Sequence, residues 1–230
     1  MNKTPAVSVI IASKNSERFI AASIESVINT KFPRLEIIVI DGASNDQTRQ
    51  IVSQYPQVRL LAQEGCGIAS AYNQGISQSQ GELIAFNSSD DIWSPDKLNL
   101  QLGLLDQNAH ASVVAGKAEF FLEPGATIPP GFRRELLDQP RVAYIMETVL
   151  IRADLFDRVG MFDTSLATAE DVDWFARVRD AGIVSVATDA VVVRKRIHAD
   201  NSSLAKSNTA FLLAAVRNSV ARKTRQLDHA

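Results

Sequence analysis

The chain has 230 residues, a length that suits one domain, with a one-and-a-half-domain layout as the alternative. Hydrophobic residues make up 46%, enough for a sizeable core, and a formal net charge of −2 excludes the basic excess of a dedicated nucleic-acid binder. A nucleotide ligand stays open, since a metal can carry the positive charge. The one cysteine, Cys66, rules out a disulfide within the chain, so the cytoplasm is the expected compartment. Val7-Ser8-Val9-Ile10-Ile11 is too short for a signal-peptide core, and no apolar run approaches the length of a membrane span.

Val7 to Ala12 is a short β-branched run, as expected for a strand buried on both faces. The polar turn Ser13-Lys14-Asn15-Ser16 follows it. Ile20, Ile24, Val27 and Ile28 recur at helical spacing, and Pro33 ends that helix. Leu35 to Ile40 is a second buried strand. Asp46 N-caps a helix to about Tyr55, and Val58 to Ala62 is a third strand. Ala69 to Ser79 reads as a helix, and Gly81 opens a fourth strand, Glu82 to Phe86. Ser94-Pro95 starts a helix with Leu98, Leu102 and Leu105 on its apolar face. Ser112 to Ala115 and Ala118 to Leu122 then read as two strands. Glu123 to Pro140, with four prolines, reads as a long functional or mobile loop. Val142 to Ile151 is strand-like. Thr168 and Asp171 have capping-box spacing at the start of a helix carrying Trp174, Phe175 and Val178 to Gly182. Val184 to Val193 holds one or two strands, and the basic tail from Leu204 is helical in pattern.

Strands alternating with helices imply an α/β fold with a mainly parallel sheet and right-handed crossovers. Ligands bind such sheets beyond the carboxyl ends of the strands. The turns there are Ser13-Lys14-Asn15, Asp41-Gly42-Ala43-Ser44, Gln63-Glu64 and Ser88 to Asp91. Asp41 suits a base imide or a ribose hydroxyl, and equally suits an ordinary Asp-Gly turn. Asp90 and Asp91 repel each other unless solvent or a cation offsets their charge. A hard divalent cation takes such carboxylates together with substrate phosphates. Glu170-Asp171 opens a helix, where the dipole favours the anion and packing against Trp174 disfavours it. His198 follows Arg194-Lys195-Arg196, a basic run suited to a diphosphate but equally to a solvated surface. Gly65-Cys66-Gly67 is a poor match to a dinucleotide fingerprint, since Ser70 replaces its third glycine.

In order and spacing, these pieces over Val7 to Ser203 resemble the family 2 glycosyltransferases of the GT-A fold, a Rossmann-like mainly parallel sheet with a smaller antiparallel acceptor-side sheet. The resemblance implies one domain with a donor half (1–111), an acceptor and catalytic half (112–203) and a helical tail (204–230). It places a nucleotide-diphosphate sugar, UDP-linked by the family pattern, on Ala12, Ser13, Lys14, Asn15, Asp41, Glu64, Asn73, Ser89, Asp90 and Arg196. Ser88-Ser89-Asp90-Asp91 is similar to the family's Asp-x-Asp region, but Ser88 stands at its first acid. The implied Mn2+ or Mg2+ therefore rests on Asp90, with Asp91 and His198 in support. Lys14 stands where some members carry an aromatic for base stacking. Glu170-Asp171 matches the pair whose Asp is the family's base, and His198 with Ser202 and Ser203 resembles a C-terminal motif near the diphosphate.

The implied reaction is transfer with inversion by a single displacement, Asp171 being general base beside Glu170. The acceptor is open among saccharide, lipid-linked and peptide hydroxyls. The rivals are a non-catalytic sugar-nucleotide-binding module and a nucleotidyltransferase, the latter disfavoured by a glycine-free first turn. The basic tail leaves open a peripheral contact with the inner membrane face or a homodimer arm, against ordinary covering of the core.

Overall fold

The computed structural model describes residues 6–166, 168–199, 201, 213, 217–220 and 222. The elements are β1 (Val7–Ser13), α1 (Ile20–Ile28), β2 (Leu35–Asp41), α2 (Thr48–Val52), β3 (Val58–Ala62), α3 (Gly67–Gln78), β4 (Leu83–Ser88) and β5 (Ile92–Trp93). They continue as α4 (Lys97–Gln107), β6 (Ala111–Leu122), β7 (Arg141–Ala143), β8 (Leu150–Arg152), α5 (Leu155–Val159), α6 (Glu170–Asp180) and β9 (Val184–Ile197). All described strands join one sheet in the order β3-β2-β1-β4-β8-β6-β9-β5, with β7 on β6. The first four are parallel. The smaller second sheet expected to be antiparallel is a mixed continuation of the same sheet, entered where β8 pairs antiparallel with β4; β6 runs antiparallel to β8 but parallel to β9.

Alternation along the strands divides the core between the two faces. Val7, Val9 and Ile11 pack with Ile37 and Val39 under α1 and α4. Ile10 packs with Ile38 and Ile40 under α3, α5 and α6. Both faces are covered, which is why these strands read as unbroken apolar runs. Each such side chain contributes roughly 1.5–3 kcal/mol on burial.

Several elements differ from their expected form. The two strands predicted around Gly116 are the single β6, interrupted by shifts in its register with β9 between Ala115 and Ala118. The stretch Val142 to Ile151 is not one strand. A 3₁₀ turn, Met146–Thr148, divides it, because Thr148 Oγ1 donates to the carbonyls of Ala143 and Ile145 at 2.6 and 2.8 Å. β9 runs on to Ile197 because β6 pairs with it to Leu122. The helix expected from Ser94-Pro95 begins at Lys97, after a turn closed by its N–H on the Ser94 carbonyl. α2 ends at Val52, and its N-cap is Gln47, although Asp46 Oδ1 still accepts the Thr48 N–H at 2.9 Å. The capping box on α6 does not form: the N-cap is Ala169, and Thr168 Oγ1 has no partner among the described residues. Most of the tail lies outside the described residues, as do Ser202 and Ser203; Leu213, 217–220 and Arg222 are helical. No helix among the described residues is long and apolar enough to cross a membrane.

α3 approaches β1 through Gly75, where a Cβ would lie 2.4 Å from Ile10 Cγ2. Gly75→Ala should therefore destabilise the fold by about 1–3 kcal/mol through overpacking, read as a lower urea midpoint at unchanged slope.

Candidate active site

The register of the parallel strands sets the site. Ser13 lies beside Asp41, and Ala12 beside Ser88, so three strand ends open at one level. The turns after β1 and β2 are stitched together. Asn15 N–H donates to Ser44 Oγ and Asn45 N–H to Asn15 Oδ1, both at 2.9 Å. Ser16 N–H donates to Thr48 Oγ1 at 2.7 Å, and Glu17 N–H to Asp46 Oδ2 at 3.0 Å. Asn15 and Ala43 adopt left-handed φ angles of 49° and 58° in these turns.

Asp41 is 2% exposed. Its Oδ2 accepts the Ser44 N–H at 3.2 Å and lies 3.8 Å from Arg49 Nε. Its Oδ1 is buried without a hydrogen-bond partner among the described residues, as is Ser13 Oγ. Leaving such an atom unsatisfied costs about 1–3 kcal/mol, so an imide or hydroxyl donor fits there. Lys14 and Glu64 are exposed on the same rim, and Ala12 is partly buried. Ser89 Oγ shares a 2.7 Å hydrogen bond with Ser16 Oγ, tying the β4 turn to the β1 turn.

The two adjacent acids of the β4 turn face different partners. Asp90 Oδ2 lies 3.0 Å from His198 Nε2 and accepts from Asn201 Nδ2 at 3.2 Å. Burial pushes the Asp90 carboxyl up, but the His198 hydrogen bond and the Lys195 charge outweigh it and hold it below the usual range. Asp91 points inward, accepting from Lys195 Nζ at 2.6 Å and from the Arg196 N–H at 3.0 Å. Asp91, expected as a helper ligand, is thus engaged inside the protein by these two bonds. Arg196 donates from Nε to the Asp90 carbonyl at 3.0 Å, pairs with Glu123, and lies between the rings of Phe19 and Phe121.

Among the described residues no group of three His, Cys, Asp or Glu could hold a metal ion. Asp90 and His198 do converge, and one carboxylate with one imidazole suits Mn2+ when phosphate oxygens complete the shell. The residues present therefore fit a cation that arrives with its diphosphate.

Glu147 and Lys97, which carried no motif, and Lys195 of the basic run complete this region. Glu147, on the 3₁₀ turn, accepts from Ser88 Oγ at 2.5 Å and pairs with Lys195 Nζ at 3.1 Å. Burial alone would lower the Lys195 ammonium, but Asp91 and Glu147 hold it well above its ordinary value. Lys97, fully buried, donates to the Glu147 carbonyl at 3.1 Å, and burial lowers its ammonium to about 7. Strand alternation was the available signal for Lys195, which shares a face with Val193 and Ile197. Lys97 sits on the buried Leu98 and Gln101 side of its helix.

Glu170 and Asp171 form the first turn of α6. Burial, and then the neighbouring Asp171 charge, raises the Glu170 carboxyl to about 7. Burial, and then Glu147, raises Asp171 to about 6. Glu170 Oε2 is buried without a partner among the described residues. Burial is the largest influence on both carboxyls, and the backbone hydrogen bonds at the helix start oppose it. α6 is held rigidly. Arg177 donates to the carbonyls of Val159, Gly160 and Met161 at 2.7, 3.2 and 2.8 Å, and Trp174 Nε1 donates to Gly160 at 3.0 Å. Asn73, expected among the donor-binding residues, instead clamps the Phe162 backbone. Its Nδ2 donates to the Phe162 carbonyl and its Oδ1 accepts the Phe162 N–H, both at 2.9 Å.

The family model described as "Glycosyl transferase family 2" matches residues 8–162. The chain belongs to that family. An uncharacterized glycosyltransferase of Rickettsia prowazekii is 30% identical over 209 residues, covering 85% of this chain and 65% of its own length. One of Rickettsia felis is 27% identical over 219 residues, covering 89% of this chain and 36% of its own length. The chain thus spans between about a third and two thirds of these relatives. The structure of S. aureus TarS 1-349 in complex with UDP-GlcNAc has a TM-score of 0.74 at 23% identity, covering 94% of this chain and 66% of that one. Mannosyltransferase PcManGT from Pyrobaculum calidifontis, in complex with GDP-Man and Mn2+, has a TM-score of 0.65 at 19% identity, covering 99% of this chain and 65% of that one. The architecture is that of the GT-A fold.

Asn73→Ala should lower stability by about 1–3 kcal/mol by orphaning the Phe162 backbone, measured by urea denaturation, while leaving nucleotide affinity unchanged.

Proposed function

We propose that the chain transfers a sugar from a nucleotide-diphosphate donor, UDP-linked, to an acceptor hydroxyl with inversion. One observation carries this reading: Asp90 and His198 converge 3.0 Å apart after β4, at the strand ends where the buried Asp41 also opens, and the same chain heads α6 with the Glu170-Asp171 pair, both carboxyls raised by burial. A pure binding module has no use for a carboxylate so placed. Family membership and the GT-A likeness support the same reading. TarS with UDP-GlcNAc and PcManGT with GDP-Man and Mn2+ support the donor class and the cation.

Asp41 and the stitched turns of β1 and β2 would hold the nucleoside, while Asp90 and His198 would hold Mn2+ or Mg2+. When bound, that cation would offset charge on the diphosphate as a Lewis acid. Arg196 beside it adds a fixed positive charge. Asp171 accepts the acceptor hydroxyl's proton as that oxygen attacks the anomeric carbon and the carbon's bond to the diphosphate oxygen breaks, the nucleoside diphosphate leaving with that electron pair. At neutral pH Asp171 is ionised while Glu170 still carries part of its proton. The two carboxyls can thus divide acceptor and donor roles toward a sugar hydroxyl. The segment from Tyr144 to Thr148 and the loop 123–140 would border the acceptor.

Asp171→Asn should lower turnover by about 10²- to 10⁴-fold while retaining donor binding. Released nucleoside diphosphate, measured across a donor and acceptor panel, checks this, and undiminished transfer refutes the assignment. A base raised to about 6 works only when ionised, so kcat/KM of the wild type should fall as pH drops through about 6. Asp90→Ala should abolish Mn2+-dependent donor binding in calorimetry.

A further inference from the structure

Glu147, within the segment placed beside the acceptor, has its carboxylate turned to the donor side, onto Ser88 and Lys195. Its carboxylate adds to the field on Asp91, on Glu170 and on Asp171. It is 8% exposed, and it is built in rather than free to swing. Lys97 Nζ holds its carbonyl at 3.1 Å, and Gln101 Nε2 holds the next carbonyl, that of Thr148, at 2.8 Å. Its Oε1 receives the Ser88 hydroxyl at 2.5 Å and lies 3.1 Å from the Lys195 ammonium. A buried carboxylate is costly unless its partners need it.

The partners show what the need is. β4 ends in two hydroxyls, Ser88 and Ser89, before its acids. Asp91 is turned into the protein by Lys195 and the Arg196 N–H. Asp90 alone is left to face His198. The strand end therefore has no carboxylate of its own at position 88, and the one that meets Ser88 comes from another element.

We propose that Glu147 is a positioning residue for the donor end of the site, supplying across space the carboxylate that Ser88 lacks. It anchors β4 by its bond to Ser88 and shares Lys195 with Asp91, and so fixes the turn that presents Asp90. The proposal rests on the donor and cation reading above.

The test moves the charge back to the strand. Glu147→Gln keeps the shape and the bond to Ser88 but leaves Lys195 with one carboxylate. It should weaken binding of UDP or GDP, whichever the wild type binds with Mn2+, by about 10- to 100-fold, as expected for a group that orients a metal ligand. Ser88→Asp alone sets two carboxylates face to face and should weaken it as well. The double variant Ser88→Asp with Glu147→Gln should recover wild-type affinity. A purely structural role for Glu147 predicts no such recovery. The inference is overturned if Glu147→Gln binds like the wild type, or if the double variant binds no better than Glu147→Gln. Should Glu147→Gln fail to fold by circular dichroism, the folded double variant carries the decision by the same affinity. Wild-type binding that does not respond to Mn2+, or an Asp90→Ala variant that binds undiminished, overturns the cation reading itself and the inference with it.

Discussion

The arrangement depends on one buried ammonium. Lys195 Nζ stands 2.6 Å from Asp91 and 3.1 Å from Glu147, and the three groups come from β9, from the turn after β4 and from the 3₁₀ turn before β8. Each element contributes a charge that it could not bury alone. Unpairing one partner of a buried ion pair typically costs about 3–5 kcal/mol, so none of the three can shift without exposing the others to that cost. The donor turn is thereby tied to strands that lie far from it in the chain.

A second rigid unit carries the base. The three carbonyls held by Arg177, the Gly160 bond from Trp174 and the Asn73 clamp on Phe162 all fix the segment against which α6 packs. On its outer side α6 is held by Arg222, which donates to Asp173 at 3.2 Å. A carboxyl raised by burial retains that property only while water is kept away from it. Trp174, fully buried among Phe156, Phe162 and Phe175, anchors the helix that carries the pair. The Glu147 charge adds to the field on a carboxyl of each unit, Asp91 and Asp171.

The parallel half was legible because its signals are local. Apolar runs of β-branched residues, each followed by a polar turn, define strands buried on both faces and point to their carboxyl ends. Asp41, Asp90 and the Glu170-Asp171 pair could be placed on that basis. The second half was less legible because its elements are set by distant partners. β6 reads as two strands until β7, with Ala143 opposite Gly116, bridges the break in its pairing with β9, and the 3₁₀ turn exists because a threonine hydroxyl takes two carbonyls. Asp91 and Asn73 illustrate a further limit. Residue type showed what each can bond, but Lys195 and the Phe162 backbone, both remote in sequence, determine what each does bond. Glu147 gave no sequence signal, since a single acid in an apolar stretch has no period or spacing to mark it.

The long proline-containing segment is fastened at both ends. At its start Glu123 pairs with Arg196 and donates its N–H to the Ile197 carbonyl; at its finish Arg141 pairs with Ala118 in the sheet. Between these points Phe132 packs on Phe120 and Pro129 is buried. Closure entropy rises by only about 0.6 kcal/mol for each doubling of a loop. The interval 124–140 can therefore change in length at little cost in closure entropy without moving the charged and paired residues that hold its two ends.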